Sequence, residues 1–102
     1  MPKSVRFRES AREDVSEAFG WYERQSEGLG VRFLLAVDKA VDFVTRNPES
    51  CPLEFDEFRR VIVERFPYSV FYEVSGNEVV IYGLLHHARD QDKWRKRAEE
   101  TS

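Results

Sequence analysis

A chain of 102 residues, 41% apolar and 14% aromatic, is one domain's worth and can bury a single core without metal or disulfide staples. Its 34% charged residues are interleaved with apolar ones, which excludes a disordered tail, and no apolar run reaches the ~18–20 residues of a membrane span. The lone Cys51 excludes an internal disulfide or a multi-cysteine zinc site, and 16 basic against 19 acidic residues, net −3, argue against a non-specific nucleic-acid binder.

Residues 1–6 lack the apolar stretch of a secretory signal, so a cytoplasmic location is expected. Val5-Arg6-Phe7-Arg8 alternates with period two and predicts a short strand. Ser10-Ala11-Arg12-Glu13 reads as a capping box opening a helix over about 11–27, with Val15, Ala18, Phe19 and Tyr22 on its apolar side. Gly28-Leu29-Gly30 stops that helix, both glycines being suited to the positive φ of a tight interhelical turn. Phe33, Leu34, Val37, Ala40, Val41 and Val44 then form one continuous helical stripe, which ends at Asn47-Pro48. Two amphipathic helices joined by three residues make an antiparallel hairpin.

Residues 48–58, with two prolines and Cys51, read as a loop. From Arg60 onward the pattern is β: Val61–Phe66 is the first strand, Phe66-Pro67-Tyr68 a turn, and Ser69–Val74 a second strand that puts Val70, Tyr72 and Val74 on one face. After the Ser75-Gly76-Asn77 hairpin, Val79–His86 is apolar on both faces, as an interior strand is. Asp90 is placed to cap a last short helix carrying Lys93-Trp94-Arg95-Lys96-Arg97. The expected fold class is α+β, ordered β-αα-βββ(α), an antiparallel sheet with the helical hairpin packed on one face.

Charge is uneven along this layout: residues 1–57 hold 8 basic and 12 acidic side chains, and residues 58–102 hold 8 and 7. The C-terminal cluster therefore reads either as a solvated helix end suited to the macrodipole or as an edge facing an anionic partner. His86 and His87 are adjacent on a strand end, point to opposite faces and cannot readily share a metal ion. One of them remains available for acid–base work or for a structural hydrogen bond. There is no phosphate loop or nucleophile motif, and no cofactor or metal is expected.

Trp21-Tyr22-Glu23 closing the first helix, Gly28-Leu29-Gly30 leading to Arg32-Phe33, and Asn47-Pro48 after the second helix resemble the RelE/ParE superfamily of toxins from bacterial type II toxin–antitoxin systems. Arg59 or Arg60 opening a strand that ends in Phe66-Pro67-Tyr68, the strand Tyr68–Val74, and the terminal pattern His86, Arg89, Trp94, Arg97 complete the resemblance. It spans nearly the whole chain as a single domain, and departs at Asp90-Gln91-Asp92, where many relatives carry proline.

The resemblance implies one of two mechanisms. RelE-like toxins resemble ribosome-dependent mRNA endonucleases that need clustered cations and acid–base groups; here Ser69 stands where that branch commonly has arginine, no tyrosine follows Tyr82, and His87 with Arg89 is the alternative catalytic pair. ParE-like toxins resemble inhibitors that bind DNA gyrase and need no catalytic residues. The Gly-Leu-Gly turn, the Phe-Pro-Tyr turn and the His…Arg…Trp pattern fit this second branch better. The ParE-like reading implies a ParD-like antitoxin as cognate partner and gyrase as target, with neither membrane binding nor specific DNA binding by the toxin alone. It assigns Arg89, Trp94, Arg95 and Arg97 to the target and Trp21, Arg59, Arg60 and Arg65 to the antitoxin. A decayed member that only binds antitoxin is the third reading.

Overall fold

Arg8, extended at φ −69° and ψ 156°, turns the chain from β1 (Ser4–Phe7) directly into α1 (Glu9–Gln25). The expected capping box does not form, because the Ser10 hydroxyl instead donates to the Tyr82 carbonyl at 2.8 Å and ties the helix start to the sheet. The computed structural model describes residues 2–90 and 92–101, except the side chains of Phe55, Trp94, Ala98 and Thr101. Chain order continues with α2 (Leu29–Arg46), β2 (Leu53–Phe55), β3 (Phe58–Ile62), β4 (Tyr68–Ser75), β5 (Glu78–His86) and α3 (Lys93–Thr101).

The expected α+β architecture is present, and the helical hairpin packs on one face of the sheet. Two features extend it. The 48–58 segment holds the short strand β2, which hairpins onto β3 through Asp56, a residue at φ 52°. The sheet, ordered β1-β5-β4-β3-β2, is also mixed, since β1 runs parallel to β5. β3 starts and ends earlier than its β-branched run suggests, because Glu64 to Pro67 are used to turn the chain into β4.

Only one of the two interhelical glycines has positive φ. Gly28 sits at 87°, whereas Gly30 lies inside α2, where its missing Cβ lets α1 approach. The α2 stripe (Phe33, Val37, Val44) meets Val70, Tyr72, Val79 and Ile81 from the sheet in the main core. Tyr72 is fully buried and its hydroxyl donates to the Pro48 carbonyl at 3.0 Å. That burial pushes its phenol pKa well above the ordinary tyrosine range.

On the opposite sheet face Phe58, Phe71, Val80, Tyr82 and Leu85 form a second apolar cluster. Phe58 stacks on Phe71 at 5.0 Å and meets Tyr82 edge-on at 4.9 Å, and the Arg8 guanidinium lies 5.1 Å from the Tyr82 ring centre. Arg97 of α3 bonds Asp14 of α1 at 2.7 Å and the Tyr82 carbonyl at 3.2 Å. The same Asp14 carboxylate accepts the Leu84 N–H at 3.0 Å, a position that β1, ending opposite Ile81, does not reach. Asp14 thus closes the edge of β5 beyond the end of β1 and holds α3 in place. The Asp90 carboxylate accepts the His86 N–H at 2.8 Å, and its carbonyl accepts the Lys93 N–H at 3.1 Å at the start of α3.

Candidate binding surfaces

The turn after β5 sends the sequence-predicted residues to different sides of the molecule. Arg89 donates to the Tyr68 hydroxyl at 2.9 Å and lines a cleft of about 110 Å³ together with Trp21, Arg24 and Lys93. Trp21 is 49% exposed, its ring edge-on to Tyr22 at 5.1 Å. An indole, assigned from sequence to the antitoxin, and a guanidinium, assigned to the target, therefore share one cleft.

His86 organises this turn. Its ring meets Tyr68 edge-on at 5.1 Å, and its Nδ1 accepts the N–H groups of Ala88 and Arg89 at 3.1 and 3.3 Å. Burial, then the neighbouring Arg89 charge, lowers its pKa below the ordinary value near 6.5. The folded state thus binds fewer protons than the unfolded state between the two values, so this contribution is intact above about pH 6.5 and is lost as pH falls through the lowered folded value. The thermal midpoint is expected to fall between pH 7 and roughly 5.5, above the ordinary carboxylate range, and to fall less in His86→Gln. Identical pH profiles for the two proteins would remove His86 from this role.

His87 lies on the other side. Its Nε2 is 2.8 Å from the Ser69 hydroxyl, and Ser69 is 2% exposed. Around them Phe71, Leu85, Glu54 and Arg60 line a cleft of about 40 Å³. Arg60 pairs with Glu54 at 3.1 Å. The alternative catalytic pair His87 and Arg89 is therefore not brought together.

Arg59 turns to the helix side and donates to the carbonyls of Glu49 and Cys51, fastening the 48–52 loop. Arg97, assigned from sequence to the target, is an internal strut, its side chain 19% exposed. Arg95 is exposed on α3, and the Trp94 side chain lies outside the described residues. Among the described residues no three His, Cys, Asp or Glu side chains converge as a metal site, and no helix is long and apolar enough to cross a membrane.

Sequence reasoning missed one apolar surface. Leu35, Phe43 and Ile62 are 63%, 45% and 64% exposed along a groove between α2 and β3. The signal was legible: Leu35 and Phe43 lie eight residues apart on α2, off the buried stripe. Arg65 stands at the end of this groove in a left-handed conformation, φ 72°. Replacing it with glycine removes a steric cost of roughly 1–2 kcal/mol against a smaller entropic loss, so Arg65→Gly is expected to stabilise by about 0.5–1 kcal/mol. The thermal midpoint should then rise by roughly 2–6 °C. An unchanged or lower midpoint would show that the turn holds Arg65 without strain.

The chain matches, over residues 5–91, the family described as ParE toxin of type II toxin-antitoxin system, parDE. That span runs from β1 to the turn before α3. No curated protein matches. The fold is similar to that in the chromosomal ParDE toxin–antitoxin system from P. aeruginosa, with TM-score 0.72, 19% identity, and coverage of 82% of this chain and 95% of that one. It is also similar to a chain of the toxin–antitoxin complex RelBE2 from Mycobacterium tuberculosis, with TM-score 0.60, 26% identity, and coverage of 84% and 99%. With helical hairpin, mixed sheet and family match in agreement, the chain belongs to the ParE toxins of type II toxin–antitoxin systems.

Proposed function

We propose that this ParE-family toxin acts in the cytoplasm by binding DNA gyrase, and that a ParD-like antitoxin neutralises it. The observation that supports binding over RNA cleavage is the split at the end of β5. His87 faces Ser69 on the open sheet face, whereas Arg89 faces Tyr68 beside α1. The cation that shares a cleft with His87 is Arg60, already compensated by Glu54. Cleavage through a 2′-hydroxyl needs a base and a cation on one phosphate, and this arrangement separates them. Trp21, Arg89 and Lys93 converge instead on one cleft, and Trp and Arg are the residue types that most often dominate protein interfaces. An antitoxin that contacts Trp21 covers Arg89 as well, which accounts for neutralisation by occlusion.

The test uses purified protein in two parallel assays, gyrase supercoiling and cleavage of mRNA on programmed ribosomes. Inhibition of supercoiling that survives His87→Gln and is reversed by the antitoxin is the expected result. Ribosome-dependent mRNA cleavage abolished by His87→Gln, with supercoiling untouched, would replace this reading with the endonuclease one.

A further inference from the structure

Helix α1 has a glycine in its interior that core packing does not explain. Glycine there is unfavourable relative to alanine and is kept where another group needs the space. Among the described residues, the one side-chain atom within 4 Å of a Cβ placed on Gly20 is Arg24 Nη1, at 3.3 Å. No second helix or strand comes that close. The missing side chain therefore serves Arg24, whose guanidinium lies back along α1 over Gly20. Glu17, Trp21 and Arg24 follow at i, i+4 and i+7, share one face of the helix, and line the cleft that Arg89 enters from the turn after β5.

The two guanidiniums of this cleft are not neutralised at contact distance. Arg89 gives one N–H to the Tyr68 hydroxyl, a neutral partner, and has four more to offer. Among the described residues, neither Arg24 nor Arg89 pairs with a carboxylate. Two of the three acids that line the cleft are engaged elsewhere. Asp14 holds Arg97, Lys93 and the Leu84 N–H, and Asp90 accepts the His86 N–H. A planar carboxylate matches a guanidinium fork, and the exposed Trp21 ring offers an apolar contact beside it. A nucleic-acid backbone fits less well, because Asp14, Glu17 and Asp90 repel a row of phosphates.

We infer that this cleft receives an aspartate or glutamate side chain of gyrase, clamped by Arg24 and Arg89, and that Gly20 is a positioning residue that gives Arg24 its place. This inference rests on the reading that gyrase is the target and names the chemistry by which the target is held. Tyr68 orients Arg89, and the absent side chain at Gly20 lets Arg24 lie along α1 rather than point into solvent.

The test uses the gyrase holoenzyme and the purified chain. Arg24→Gln and Arg89→Gln are each expected to raise the concentration for half-inhibition of supercoiling about tenfold. Arg12→Gln, which removes a cation of the same helix outside the cleft, retains full inhibition. Gly20→Gln fills the space of the Arg24 guanidinium with a better helix former. Its thermal midpoint is expected to stand at or above that of the unaltered chain while inhibition weakens about tenfold, a combination that a purely structural glycine does not give. Arg24→Lys puts a primary amine at the same place. A water-soluble carbodiimide activates a carboxylate and leaves as its urea when the amine displaces it, so an amide link from position 24 to a gyrase Asp or Glu is expected, mapped by peptide mass spectrometry. If Gly20→Gln does not fold, this cross-link decides.

Full inhibition by Arg24→Gln overturns the clamp and leaves the gyrase reading standing. Binding that requires DNA, with no cross-link formed, assigns the cations to phosphates and likewise overturns the inference alone. Failure of the unaltered chain to bind or inhibit gyrase overturns the gyrase reading, and the inference with it.

Discussion

Asp14→Ala is expected to lower the unfolding free energy by about 3 kcal/mol, the low end of the range for breaking a buried ion pair. The Asp14 side chain is 10% exposed and accepts from Arg97 at 2.7 Å and from the Leu84 N–H at 3.0 Å, with Lys93 at 3.8 Å. Its removal leaves the buried Leu84 amide without an acceptor, a cost of roughly 1–3 kcal/mol by itself, and leaves Arg97 without the carboxylate that holds it. For a domain this size the thermal midpoint should drop by at least about 12 °C. Because the same carboxylate tethers α3, trypsin should cut within 93–97 much faster in the variant. Asp14→Asn keeps an acceptor for Leu84 and should fall between the two. A loss below about 1 kcal/mol in urea denaturation, well short of the buried-pair range, would mean that α3 is held by something other than this carboxylate.

Gly30→Ala is expected to destabilise by about 2–3 kcal/mol, although alanine in a helix interior ordinarily gains about 1 kcal/mol over glycine. A Cβ at Gly30 would lie 2.6 Å from Glu23 Cγ and 2.8 Å from both Phe19 Cδ1 and the Phe19 carbonyl oxygen. The carbonyl belongs to the α1 backbone and yields only if the hairpin opens. Glu23 also accepts the Gly30 N–H at 2.8 Å, so displacing it strands a donor in the α1–α2 contact. The sign of the change, read from denaturant midpoints, separates close approach from ordinary helix propensity. A stabilised Gly30→Ala protein would show that the helices have room to spare.

The two changes act on different layers. Gly30 sets the separation of the helical hairpin, which carries Trp21 on one helix and the Leu35–Phe43 groove wall on the other. Asp14 sets the position of α3 and its cations. Antitoxin binding that survives Asp14→Ala while gyrase inhibition is lost would assign the two partners to different parts of the proposed surface.

Helix and strand identities were legible in the sequence wherever burial is periodic along the chain. The α2 stripe from Phe33 to Val44, the alternation of Val70 and Tyr72, and the two-sided apolar run of β5 each report a local pattern that the core then fills. The family resemblance was legible for the same reason, since its motifs punctuate those elements.

Features that depend on which distant segment arrives were settled only in three dimensions. Ser10 looked like a cap until the Tyr82 carbonyl offered its hydroxyl a partner. Gly30 looked like a turn glycine, but close approach of Phe19 and Glu23 is what requires it. Arg97 looked like a surface cation until Asp14, 83 residues earlier, placed a carboxylate beside it. His87 and Arg89 are two residues apart in sequence, yet the turn after β5 sends one to Ser69 and the other to Tyr68. Local propensity carries no information about these partners; the sheet order that brings β1 beside β5, and so α1 beside the C-terminal turn, decides them.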